Sequence, residues 1–99
     1  MKMNSTERLR LLVKHNGYIV RQLSAPHGVL KNDVIALKDV KGQNIVVTDS
    51  SRLSVIPNMP QQDLDDLLRA HLVTEDTAAS TQSERVYKLT PDGLARGAV

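Results

Sequence analysis

The apolar positions of the chain switch between helical and strand spacing, and the switches mark out its elements. Leu9, Leu12 and Val13 fall at i, i+3, i+4 and predict one apolar stripe on a first helix, which Leu11 widens. Asn4 is a suitable N-cap and Glu7, three residues on, completes a capping-box pattern. Asn16-Gly17 predicts the stop, because glycine tolerates the left-handed conformation that closes many helices. Tyr18-Ile-Val-Arg-Gln-Leu23 is rich in β-formers and predicts a strand, and Ser24-Ala-Pro-His-Gly28 a turn. Residues 33–40 suit either a short helix capped by Asn32 or the first arm of a hairpin. The β-branched content of this segment and of Asn44-Ile-Val-Val-Thr48 favours the hairpin, with Lys41-Gly-Gln43 as its loop. Arg52-Leu-Ser-Val-Ile56 suits a further short strand.

Pro57-Asn-Met-Pro60 then breaks the chain, and Pro60 is placed to begin a helix. From Gln61 to Val73 the leucines at 64, 67, 68 and 72 trace one face, while Gln62, Asp63, Asp66 and Arg69 fall mainly on the polar side. Asp63, Asp65 and Asp66 lie in the first turns, where negative charge complements the helix dipole. Residues 74–83 read as a polar loop, and Arg85-Val-Tyr-Lys-Leu89 alternates as a half-buried strand does. Thr90-Pro91 caps and starts a last short helix that frays at Gly97. The expected architecture is one α+β domain over residues 1–99, in the order α-β-β-β-α-β-β-α, with a β-hairpin near residues 73–90.

Composition narrows the chemistry. Phe, Trp and Cys are absent, and Tyr18 and Tyr87 are the only aromatic residues, so the core has to be aliphatic. Without cysteine there are no disulfides, thiol nucleophiles or thiolate metal sites. The apolar runs are far shorter than the ~20 residues of a membrane span and the chain starts polar, which predicts a cytoplasmic protein. The net charge is only +2 but uneven: residues 1–56 carry nine Lys or Arg against four acids, residues 57–99 four against seven. The basic part suits a polyanion.

The segment Leu67-Leu-Arg-Ala-His-Leu-Val73, a polar loop, and then Tyr87-Lys-Leu-Thr-Pro-Asp-Gly-Leu-Ala95 resemble the second half of bacterial winged-helix proteins. In that family a helix with an apolar corner leads into a hairpin wing. The wing's return strand often reads Tyr-x-Leu-Thr, with Gly soon after; Tyr87, Leu89, Thr90 and Gly93 fill those positions. The layout of residues 17–56, with strands before the later helix, is similar to small prophage- or plasmid-type members, including a family of topoisomerase-inhibiting toxins. The resemblance implies a transcriptional regulator that binds double-stranded DNA, expected as a homodimer on two half-sites. Candidate DNA contacts are Arg8, Arg10 and Lys14 on the first helix, Arg21, Lys38 and Lys41 on the strands and hairpin, and Arg85 and Lys88 on the wing. Gln61, Gln62 and Arg69 are the candidate base readers, since Gln pairs with adenine and Arg with guanine.

Three aspartates on the same helix oppose that reading, because carboxylates are repelled by phosphates. The alternative is a protein-interaction module in which Asp63, Asp65 and Asp66 meet a basic partner. Neither reading calls for a cofactor or catalysis. His15, His27 and His71 lack metal-ligand spacing, Asp63-Leu-Asp-Asp66 lacks the central glycine of a calcium loop, and no Gly-rich phosphate loop or nucleophile elbow occurs.

Overall fold

A computed structural model of the chain describes residues 4–23, 34–48 and 51–98. The turn expected at Ser24–Gly28 and the cap expected at Asn32 lie outside the described residues. Helix α1 (Ser5–Lys14) begins where the cap predicts, with the Glu7 amide donating to Asn4 Oδ1 at 2.8 Å. Its stop differs in one detail. Asn16 rather than Gly17 takes the left-handed conformation, with φ 50°. Gly17 serves close approach instead, since a Cβ there would sit 2.2 Å from the Lys38 carbonyl oxygen.

Strands β1 (Tyr18–Gln22) and β2 (Val34–Lys38) pair antiparallel, with Ile19 opposite Leu37. The chain then turns through residues 39–43, where Asp39 Oδ1 accepts the amides of Lys41 and Gln43 and Gly42 adopts φ 83°. The expected hairpin into Asn44–Thr48 forms only over its first residues: Lys38 bridges Asn44, the Asp39 amide donates to the Gln43 carbonyl at 2.8 Å and the Ile45 amide to the Leu37 carbonyl at 3.0 Å. Ile45 is buried in the core, and the chain leaves β2 after it. Val47–Thr48 (β3) pairs instead with Ser54–Val55 (β4), which lies within the further short strand expected at 52–56, so four strands precede the second helix where the expected element order holds three.

Helix α2 spans Gln61–Arg69 and is shorter than the 61–73 that its leucines suggest. Pro60 stands one position earlier than expected, at the N-cap. His71 closes the helix at φ 60°, the Leu72 amide bonds back to the Leu67 carbonyl at 2.9 Å, and Val73 already belongs to the next strand. Strands β5 (Val73–Glu75) and β6 (Glu84–Leu89) form the hairpin expected near 73–90. Thr90 then caps α3 (Pro91–Gly97), its hydroxyl accepting from the Gly93 amide and donating to the His71 carbonyl.

The main sheet has the order β2-β1-β6-β5, all antiparallel. Ile19, Leu37 and Tyr87 on its inner face meet Leu9 and Leu12 of α1 and Leu64 and Leu67 of α2 in one core. Helix α3 packs along α1, with Gly97 against Leu9 and Val13. Successive strand residues point to opposite faces, so Tyr18, Val20, Val86 and Lys88 stand on the outer face, where no helix packs among the described residues. Among the described residues no helix is long and apolar enough to cross a membrane.

Gly93 ties the last helix to the hairpin. A Cβ there would fall 2.0 Å from the Leu72 carbonyl oxygen, on backbone that cannot swing aside. Gly93→Ala is expected to lower unfolding stability by about 1–3 kcal/mol, the usual penalty for overpacking, as read from urea denaturation. An unchanged midpoint would mean that the α3 junction gives more easily than this packing implies.

Candidate nucleic-acid interface

The structure divides the predicted contact residues among several surfaces. On α2, Gln61, Gln62 and Arg69 share the exposed side with Asp65 and Asp66, opposite the buried Leu64 and Leu67. This face sits directly before the β5–β6 hairpin. On β1 and β6, Arg21 and Arg85 stand directly opposite each other on the inner side of the sheet, both half-buried, near the hairpin tip. Arg85 donates to the Thr81 carbonyl, and Thr81 Oγ1 accepts the amides of Ser83 and Glu84. Like charges directly opposite on neighbouring strands repel. Arg10 and Lys14 are exposed on α1, and Lys41 on the 39–43 turn.

Other candidates are placed elsewhere. Arg8 does not project from α1: it is 8% exposed, donating through Nη1 to Asp63 Oδ2 at 2.5 Å and through Nε to the Asn58 carbonyl at 3.0 Å. The reason is helix packing, because α1 and α2 meet at this point and the long arginine stem fills the contact between them. Asp63 is thereby occupied within the fold. Lys38 and Lys88 point to the outer face of the sheet, away from α2, and Lys38 Nζ is held by Asn44 Oδ1 at 2.7 Å. They cannot share a surface with Gln61, Gln62 and Arg69.

Comparison with known proteins gives no match: no family model, curated protein or solved structure is significantly similar to the chain. The reading of the site therefore rests on its geometry. That geometry revises the charge of α2. Asp63 is neutralised by Arg8, and Asp66 accepts from Gln62 at 3.1 Å with Arg69 at 3.9 Å. Of the three aspartates, Asp65 alone makes no ion pair or side-chain hydrogen bond among the described residues. The helix is less repellent to phosphate than its sequence suggests, and Arg69, with a side chain 75% exposed, is its open cation. The Arg8–Asp63 contact joins residues 55 positions apart, which is why sequence spacing gave no signal for it. The Arg21–Arg85 register had no such signal either, since it requires β1 to pair with the return strand of the hairpin.

Proposed function

We propose that the protein is a DNA-binding transcriptional regulator of winged-helix type, reading double-stranded DNA with α2 and steadying it with the β5–β6 hairpin. The observation that carries this reading is the strand order. β1, which follows α1, pairs with β6, so the hairpin after α2 is fastened to the body of the domain as a wing is. Gln61, Gln62 and Arg69 lie on the open side of the helix that precedes it. Arg85 and Arg21 at the hairpin supply the phosphate contacts that fix register, while the side chains of α2 carry base discrimination.

Fluorescence anisotropy against duplex DNA, run at about 50 and 200 mM salt, tests it; phosphate contacts show as a steep loss of affinity over that range. Arg69→Ala is expected to weaken binding roughly tenfold, as for loss of one base or phosphate contact. Lys38→Gln, on the far side of the sheet, is expected to leave affinity unchanged. Absence of binding at the lower salt, or equal loss in both variants, overturns the reading.

The alternative of an acidic helix docking a basic protein draws on Asp65 and Asp66 alone, because Asp63 is committed to Arg8.

A further inference from the structure

Among the described residues no helix covers the outer face of the main sheet, and the residues of that face follow a pattern. The register sets three rows across the strands: Lys38–Tyr18–Lys88, then Ala36–Val20–Val86, then Val34–Gln22–Glu84. The middle row is apolar and half-buried on these three strands, and it ends in polar residues, Asn58 beside Ala36 and Asp76, whose amide bonds to the Val86 carbonyl at 2.7 Å. On β6 the base Lys88 and the acid Glu84 lie on either side of Val86, both exposed, and neither makes an ion pair among the described residues. Four residues of extended strand separate them by roughly 13 Å, too far to pair within one chain.

A two-fold axis running along the middle row, in the plane between two such faces, places each row against the opposite row of a second copy. Val20 then meets Val20 and Val86 meets Val86, Tyr18 faces Gln22, the stem of Lys38 faces Val34, and Lys88 of each chain faces Glu84 of the other. The apolar row is buried and the two unpaired charges of each chain enter two ion pairs across the interface, with the strands of the facing sheets aligned as in ordinary sheet-on-sheet packing. An isologous interface demands self-complementarity of this kind. We propose that the outer sheet face is a homodimer interface, closed by Val20 and Val86 and fixed in register by reciprocal Lys88–Glu84 pairs.

The face measures roughly 15 by 17 Å, from strand spacing and residue rise. That is small for a permanent interface, so the dimer is weak, with a dissociation constant on the order of micromolar or higher. Val34, 39% exposed at one end of β2, contributes further apolar area at the rim.

Sedimentation analysis of the whole chain over a wide concentration range tests the proposal. Wild type is expected to show a concentration-dependent dimer. Glu84→Lys or Lys88→Glu, each checked for native circular dichroism, is expected to weaken it roughly tenfold or more by setting like charges opposite each other. The double variant Glu84→Lys/Lys88→Glu regenerates both pairs with reversed polarity and is expected to recover association. An equimolar mixture of the two single variants is expected to associate more tightly than either alone. The proposal is overturned by a monomer at every concentration, or by a dimer indifferent to these reversals. A dimer abolished by Leu53→Ser and Ile56→Ser on the β3–β4 arm, yet untouched at Glu84, overturns it too.

Discussion

Replacing Arg8 with Ala is expected to destabilise the protein by about 2–4 kcal/mol, somewhat less than the cost of stranding one member of a fully buried ion pair, because the Asp63 side chain is 20% exposed. The guanidinium lies between α1 and α2, bonded to Asp63 and to the Asn58 carbonyl, with its side chain 9% exposed. Truncation strands the Asp63 carboxylate, opens a cavity where the arginine stem packed, and removes the donor to a backbone carbonyl. A domain of this size is stable by only some 5–15 kcal/mol in all, so the variant loses a large share of its stability. Asp63→Ala is expected to cost a similar amount for the mirror reason. Urea unfolding with a double-mutant cycle separates the pair from its parts. If Arg8→Ala lost as much in the absence of Asp63 as in its presence, the salt bridge would contribute nothing beyond packing. The double substitution Arg8→Met/Asp63→Leu is expected to recover much of the stability, because buried ion pairs are often replaceable by apolar residues of matching volume.

That pair shows where sequence reasoning ends. Arg8 sits beside Arg10 on a basic helix and looks like a surface cation; Asp63 sits beside Asp65 and Asp66 and looks like part of an acidic face. Only the crossing of the two helices distinguishes them. What was legible had a local physical signature. Caps act within a single turn, so Asn4 and Thr90 announced α1 and α3. Alternation has period two, so β6 was readable from Arg85-Val-Tyr-Lys-Leu89. The hairpin after β2 was misjudged because β-branched content signals extended chain without naming the strand that will pair with it. Pairing with β2 stops at Ile45, and Val47 and Thr48 pair with Ser54 and Val55 instead. The candidate site suffered most, since residues from both ends of the chain share it only after β1 and β6 have paired.

The second large effect concerns α2, where three leucines look equivalent and are not. Leu64 is fully buried and Leu67 nearly so, whereas Leu68 is half-exposed at the edge of the core. Leu64→Ala is expected to cost about 2–5 kcal/mol, lost transfer energy plus the cavity left behind. Leu68→Ala is expected to cost less than half as much, because solvent already reaches that side chain and little cavity remains. The aliphatic core, with Tyr87 as its single ring, has few large neighbours able to collapse into the space that Leu64 vacates. Chemical denaturation of the two variants side by side gives the ranking. Equal losses would show that α2 is rotated about its axis relative to the packing described above.

The two tyrosines, lying on opposite faces of one sheet, also make the protein its own optical instrument. Tyr87 is enclosed in the core and Tyr18 stands half-exposed on the uncovered side, with no tryptophan to mask either. Near-ultraviolet circular dichroism from Tyr87 follows tertiary packing, and its loss marks unfolding. The Tyr18 signal responds instead to whatever comes to rest against the outer face. Each ring can be silenced separately by substitution to leucine, so one sample set reports on folding and on surface occupancy without an added label.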